Sequence, residues 1–170
     1  MVLTRDAYLR EIEEGRIVIT PFDRAAAGPG SYDLAIGNEF RYFKKAHQIL
    51  DASEGADYRE HTVLITKADD EPFIIMPGEA AHTITRERLK LPGDICGWLQ
   101  GRSTYARLGL MVHITASFVQ PGVDNRQVLE MFNASPVPLA LRPGSRICHI
   151  IFGRCEGSAV YTGKFQGQEL

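Results

Sequence analysis

The sequence has few cysteines, and none of them is placed for a metal site. Cys96, Cys148 and Cys155 are odd in number and include no Cys-x-x-Cys pair. A zinc site needs more ligands at closer spacing. The zinc nucleobase deaminase signature, His-x-Glu followed by Pro-Cys-x-x-Cys, is also absent, as is a phosphate-binding Walker loop. We therefore expect buried, reduced thiols and no zinc.

The sequence also lacks a strong charge of one sign and long apolar runs. Its formal net charge of −2 gives no general affinity for nucleic acid or for an anionic membrane. A polyanionic ligand would have to be held by a local basic cluster. No apolar run approaches the roughly 18 residues of a membrane span, and the charged N-terminus lacks the apolar core of a signal peptide. These absences predict no nucleic-acid partner, no membrane partner and a cytoplasmic location.

What is present is typical of one mainly β domain. A chain of 170 residues suits a single domain with its own core. Short apolar runs separated by Pro-Gly turns predict a β-sandwich or barrel. We predict strands over residues 17–19, 32–36, 40–43, 62–66, 73–76, 80–85, 95–100 and 148–152. Only two helices are predicted, at 4–15 and 103–108, and residues 161–170 are predicted to be a flexible tail or arm.

A compact polar patch opens the central stretch, residues 101–134. Arg102, Ser103 and Arg107 fall within six residues. In a helix, Ser103 and Arg107 share one face, and a hydroxyl beside a guanidinium suits a bound oxyanion or phosphate. A helix cap and a surface arginine explain the same pattern. An apolar run, 108–114, follows this patch and contains His113.

A second apolar run, 128–132, carries a single acid, Glu130. A carboxylate inside such a strand is costly to bury without a chemical task or a partner. One interpretation is a general acid/base whose pKa is raised by burial. The other is a buried acid paired with an arginine. The pattern alone leaves both open.

Several motifs occur in a consistent order from about residue 16 to residue 168. They are Pro-Gly-Ser-Tyr-Asp-Leu at 29–34, Gly-Arg-Ser-Thr-Tyr-Ala-Arg-Leu-Gly-Leu-Met-Val-His at 101–113, Gln-Pro-Gly at 120–122, Val-Leu-Glu-Met-Phe-Asn at 128–133, Pro-Leu-Ala-Leu-Arg-Pro-Gly at 138–144, and Tyr161 with Lys-Phe-Gln-Gly-Gln at 164–168. Together these motifs resemble the dCTP deaminase family of the dUTPase-like superfamily.

The resemblance implies a fold, an assembly and a reaction. The fold is a distorted jelly-roll-like β-barrel of the dUTPase-like type. The assembly is a homotrimer whose active sites lie between subunits. The reaction is hydrolytic deamination of dCTP to dUTP and ammonia without zinc, and Mg²⁺ accompanies the triphosphate.

The resemblance also implies roles for individual residues. Glu130 matches the general acid/base, and Ser103 and Arg107 match residues that help to place water, base and phosphates. His113 supports the site from behind, and the backbone near Ala116 faces the cytosine ring. The remaining expected substrate contacts are Arg102, Thr104, Tyr105, Ala106, Gln120, Val128, Leu129, and, in a closing arm, Tyr161, Lys164 and Gln168.

Three departures from the family pattern keep alternatives open. Gln120 stands where an aspartate is common; it can hydrogen-bond a 3′-hydroxyl, but it cannot act as a base. This counts against dUTP diphosphatase activity, alone or combined with deamination. Residues 124–126 replace a smaller, Gly-containing turn, and the chain stops two residues after Gln168. The changes at Gln120 and in the tail also leave a non-catalytic nucleotide-binding trimer as a third interpretation.

Overall fold

Short strands dominate the computed structural model, which describes residues 1–44, 49–113 and 115–170. Two α-helices, α1 (Arg5–Glu13) and α2 (Ser103–Ala106), and two 3-10 helices, Arg24–Ala26 and Tyr58–His61, accompany them. The strands are β1 (Val18–Thr20), β2 (Tyr32–Phe43), β3 (Thr62–Thr66), β4 (Phe73–Ile75), β5 (Ala80–Lys90), β6 (Ile95–Gly101), β7 (Leu110–Val112), β8 (Phe118–Val119), β9 (Asp124–Asn133), β10 (Leu139–Leu141) and β11 (Arg146–Arg154).

Nine of these strands form one curled antiparallel sheet. Its order is β7-β9-β5-β2-β11-β6-β8, with β1 paired to β5 and β3 paired to β2. The strands β4 and β10 form a separate antiparallel pair. The prediction of a mainly β fold with two short α-helices is confirmed. Among the described helices, none is long and apolar enough to cross a membrane.

Several predicted boundaries were wrong. The strands predicted at 32–36 and 40–43 are one strand, β2, whose pairing with β5 shifts register between Ile36 and Phe40. The strand predicted at 80–85 continues to Lys90, because its far end still pairs with β1 and β9. The predicted helix at 103–108 ends at Ala106. The run 108–114 forms a strand only over Leu110–Val112, and Ile114 lies outside the described residues.

Alternation along β9 and the buried residues of β2 build the core that positions the site. Alternate residues of β9, among them Leu129 and Met131, are buried, so Val128 and Glu130 point the other way. Phe40 stacks on Phe73 with ring centroids 4.6 Å apart. The three thiols are free; Cys96 and Cys148 are buried as predicted, whereas Cys155 is only half-buried.

A four-membered ion network fastens α1 to the sheet. The Glu11 carboxylate contacts Arg154 and lies 2.6 Å from Arg16 Nε, and Asp94 joins the same two arginines at 2.7 and 3.0 Å. Burial would raise the pKa of Glu11, but the hydrogen bonds and charges of the two arginines lower it below its ordinary value. The stability that this pairing contributes is therefore present above the ordinary glutamate pKa and lost as pH falls through the lowered one.

We expect Glu11→Gln to reduce the free energy of unfolding by about 1–2 kcal/mol at neutral pH, between the values of exposed and buried ion pairs. The difference from wild type should shrink below about pH 4, where the wild-type carboxylate also becomes protonated. Urea unfolding at several pH values measures both effects. Glu13→Gln is the matched control, because Glu13 is exposed and only loosely paired with Arg24, at 3.8 Å. An equal loss in both variants would contradict the assignment.

Candidate active site

Glu130 projects from β9 into a cavity of about 650 Å³. The adjacent residues Leu129 and Met131 are buried in the core, so the strand's alternation turns Glu130 outward. The cavity volume lies within the range of roughly 300–1,000 Å³ typical of small-molecule sites. A carboxylate therefore stands in the wall of a space that could hold a nucleotide.

His113 is the direct partner of Glu130. Its Nδ1 contacts the Glu130 carboxylate oxygen Oε2, and its backbone N–H donates to the Glu130 carbonyl at 2.7 Å. His113 is buried and has a φ of +50°, which is uncommon for a residue other than glycine. This backbone conformation just after β7 turns the imidazole toward the carboxylate. The partner of Glu130 is therefore an imidazole, and not the arginine that one interpretation of the sequence pattern expected.

The pKa of Glu130 is lowered rather than raised. Burial pushes it upward, but the hydrogen bond and charge of His113, with a smaller contribution from His82, bring it below the ordinary value. The expectation of a raised pKa was therefore wrong for this structure, because it considered burial without the imidazole that packs against the carboxylate. In this arrangement Glu130 is ionised at neutral pH, which is the form that accepts a proton.

Most of the residues singled out near Glu130 and in the tail come together around this cavity. They share the cavity because β9, the segment between β7 and β9 and the C-terminal tail converge there. The sequence-predicted residues that line it are His113, Ala116, Gln120, Val128, Glu130, Tyr161, Lys164 and Gln168. The side chain of Leu129 faces the core, so any contact that this residue makes with a ligand uses its backbone.

The tail packs over the cavity in its own chain. Hydrogen bonds join the Tyr161 N–H to the Pro121 carbonyl (2.9 Å), the Asn125 amide to the Phe165 carbonyl (2.7 Å) and the Gln168 amide to the Arg126 carbonyl (2.9 Å). Gly122, with φ +76°, lets the turn approach the tail closely, because a Cβ there would lie 2.7 Å from Val160. Side-chain and backbone contacts thus form a cover that rests on the turn before β9 and on its first residues.

Residues 102–107 lie elsewhere. Among the described residues that line the cavity, none comes from α2 or its caps. Ser103, Thr104, Ala106 and Arg107 are exposed, and Tyr105 packs partly against the core. Arg102 donates to the Arg146 carbonyl at 2.9 Å and pairs with Asp33 at 3.3 Å. Within one chain, the structure does not bring this polar patch to Glu130.

Sequence reasoning missed several cavity residues. His82, Tyr58 and Arg59 come from β5 and from the 3-10 helix before β3, and nothing local marks them. Asn125 and Gln127 also line the cavity, and Asn125 holds the tail. The substituted stretch 124–126 is the first part of β9 rather than a loose turn. The three polar residues of this stretch do not by themselves indicate a strand; their pairing with β5 does.

The arrangement offers a proton acceptor, amides and a cation in one cavity. Glu130 and the two imidazoles, His113 and His82, provide acid–base chemistry. Lys164 stands in the tail, where it can meet an anionic ligand. Within residues 1–44, 49–113 and 115–170, no group of three or more His, Cys, Asp or Glu side chains is placed to hold a metal ion.

Comparisons with known proteins agree on one family. The family model described as dCTP deaminase-like matches residues 2–155. A protein of Methanopyrus kandleri named "dCTP deaminase, dUMP-forming" is 40% identical over 179 residues, covering 99% of this chain and 92% of that protein. A "dCTP deaminase" of Rhodospirillum rubrum is 46% identical over 159 residues, covering 89% and 82%.

Solved structures with similar folds extend the comparison to three dimensions. The crystal structure of 2′-deoxycytidine 5′-triphosphate deaminase from Agrobacterium tumefaciens superposes with a TM-score of 0.69 at 18% identity; it covers 91% of this chain, which spans only 48% of that longer one. A mutant dUTPase from phage phi11 of S. aureus gives a TM-score of 0.51 at 10% identity, covering 87% and 96%. These likenesses confirm the predicted dUTPase-like fold.

Proposed function

The chain belongs to the dCTP deaminase-like family, and on that premise we propose that it hydrolyses the 4-amino group of dCTP to give dUTP and ammonia. The observation that supports this most strongly is the place of Glu130, which matches the family's acid/base position, in the wall of a nucleotide-sized cavity and in contact with His113. The substrate is dCTP with its Mg²⁺, which is held through the triphosphate. We propose a cytoplasmic location for the enzyme.

The proton transfers follow from one carboxylate. Glu130 accepts a proton from a water molecule as the water oxygen attacks C4 of the cytosine ring, and this proton passes from Glu130 to N3. Glu130 then takes the proton of the new C4 hydroxyl and transfers it to the amino nitrogen, so that ammonia leaves as the C4 carbonyl forms. Glu130 can serve as acceptor and donor in turn. His113 holds the carboxylate in place throughout, because it contacts one carboxylate oxygen and is itself buried.

We propose that the polar patch reaches this cavity from a neighbouring copy in a homotrimer. Ser103 and Arg107 are exposed, and their own chain offers them no place in the cavity. An exposed guanidinium beside a hydroxyl suits the charged end of a nucleotide. In this proposal each active site combines Glu130 of one copy with residues of the next copy, namely Arg102, Ser103, Thr104, Tyr105, Ala106 and Arg107.

The remaining residues are assigned to the base, the sugar and the phosphates of the nucleotide. We propose that the backbone near Ala116 and at Val128 and Leu129 borders the cytosine. Gln120 meets the sugar hydroxyl. Tyr161, Lys164 and Gln168 meet the phosphates as the tail closes, and closure excludes water from the reacting ring.

Gln120 favours dUTP over dUMP as the final product. Cleavage of the triphosphate requires a base that activates water toward phosphorus, and a glutamine amide cannot take a proton. Some relatives, such as that of Methanopyrus kandleri, are named dUMP-forming, so the final product has to be measured. The test is to incubate the protein with dCTP and Mg²⁺ and to measure ammonia, dUTP, dUMP and pyrophosphate. Ammonia with dUTP supports the proposal, pyrophosphate with dUMP supports a bifunctional enzyme, and binding without product overturns both.

We expect Arg107→Ala to raise the apparent KM for dCTP about tenfold or more, because a charge-assisted contact with phosphate is lost. The turnover number should change less than KM. Steady-state ammonia release at varied dCTP measures both constants. Arg10→Ala is the control, since Arg10 is an exposed arginine on α1, outside the proposed site. An unchanged KM in the Arg107 variant would remove this residue from the phosphate site.

A further inference from the structure

One row of side chains crosses the sheet at Glu130 and includes a histidine that no motif assigned. Arg41 of β2 pairs in register with His82 of β5, and His82 pairs in register with Glu130 of β9. His113, just after β7, completes the row on the far side of Glu130. Directly opposed residues of antiparallel strands have Cβ atoms roughly 4.5–5.5 Å apart. Glu130 is therefore flanked by one imidazole on each side.

The His82 ring is held in a fixed setting. Its neighbours Phe43 and Tyr58 meet it edge-on, with centroids 5.3 and 5.1 Å away and interplanar angles of 73° and 85°. The ring lines the cavity, and its Nδ1 is sealed from solvent without a hydrogen-bond partner among the described residues. Because two aromatic rings restrict the imidazole, its nitrogens are held in fixed directions within the cavity wall.

The groups that face His82 decide its charge. They are Glu130 on β9, Arg41 on β2, the Tyr58 phenol on the 3-10 helix and, beyond Glu130, His113. Burial lowers the pKa of His82; Glu130 opposes this and Arg41 adds to it, so that the pKa stays below its ordinary value. His82 is thus neutral at neutral pH. A neutral imidazole can donate one hydrogen bond without adding a full charge to the site.

We propose that His82 is a positioning residue that steadies the Glu130 carboxylate from the side opposite His113 and keeps it in its proton-accepting form. The inference rests on the proposed function, since it concerns the same carboxylate. His113 supports Glu130 from the end of β7, and His82 supports it from the middle of the sheet. The two imidazoles thus bracket Glu130 along the row, His113 through a direct contact with the carboxylate and His82 from the opposed position on the neighbouring strand.

The test compares His82→Leu, His82→Gln and His61→Gln in kcat/KM for ammonia release, measured from acid to alkaline pH. His82→Leu removes the polar neighbour, so Glu130 holds its proton more readily. We expect the acid limb of the profile to move to higher pH, costing about threefold on that limb, below the ordinary glutamate pKa, and little at neutral and alkaline pH. His82→Gln retains an N–H donor and should restore most of the wild-type profile. His61, outside the row, should give the wild-type profile.

Each outcome decides the role of His82. A loss by the same factor at every pH in His82→Leu, or no change at all, would overturn the proposal, because a purely structural defect does not move the acid limb. Thermal unfolding of each variant identifies general destabilisation. A wild type that releases no ammonia from dCTP would overturn both the proposed function and this role. An active wild type whose acid limb is unmoved in His82→Leu would overturn this role alone.

Discussion

Glu130→Gln should bind dCTP and fail to turn it over. Glutamine keeps the size and the hydrogen-bonding oxygen of glutamate, but it cannot carry a proton between water, ring and leaving group. We expect kcat to fall by about 10²–10⁴-fold, the contribution typical of one general acid/base, with the Kd for dCTP changed little. Ammonia release gives the first quantity, and calorimetric titration with dCTP and Mg²⁺ gives the second.

The matched control for this variant is Glu71→Gln. Glu71 is an exposed acid paired with Lys67, and it is not one of the residues that line the cavity. It should retain wild-type turnover. Near-normal turnover in Glu130→Gln would contradict the assigned chemistry. Lost dCTP binding would indicate instead that the Glu130–His113 contact mainly maintains the shape of the cavity.

Two impaired variants should restore activity when they assemble together. Glu130→Gln keeps the polar patch, and the double variant Ser103→Ala with Arg107→Ala keeps the carboxylate. If each site takes Glu130 from one copy and the patch from the next, every mixed cyclic trimer contains one intact site of three. We expect doubly tagged, coexpressed assemblies to recover about one third of the wild-type kcat/KM.

A site made within one chain gives a different result. Mixed assemblies would then show no more activity than the two parent variants combined, because no copy would carry both parts. Wild-type chains bearing the same two tags provide the reference for full activity. The molecular mass of the purified assembly, measured by light scattering, shows whether the active species contains three chains.

Local sequence was sufficient for the features that depend on nearby residues. Short apolar runs separated by turns predicted most strands, and the acid at position 130 stood out because its neighbours in the same strand are apolar. The resemblance added the tail residues, which no periodicity marks. The cavity then brought Glu130, Gln120 and Lys164 together in one wall, as a shared site would require.

What local sequence could not supply was the pairing between distant segments. His82 faces Glu130 because β5 and β9 pair in one particular register, and neither strand's own pattern fixes that register. The lowered pKa of Glu130 depends on His113, whose φ is +50°. The apolar residues beside His113 in the sequence do not predict this backbone conformation. Asn125 holds the tail through a carbonyl 40 residues later in the chain.

A crystal structure of the Glu130→Gln variant with dCTP and Mg²⁺ tests the central claim most directly. The decisive quantities are the distances from the side chain at position 130 to the cytosine N3 and 4-amino group, and the copy that provides Ser103 and Arg107. We expect contacts of about 3–4 Å to the ring and a neighbouring copy at the phosphates. A cytosine bound away from position 130, or a polar patch far from the nucleotide in every copy, would contradict the account.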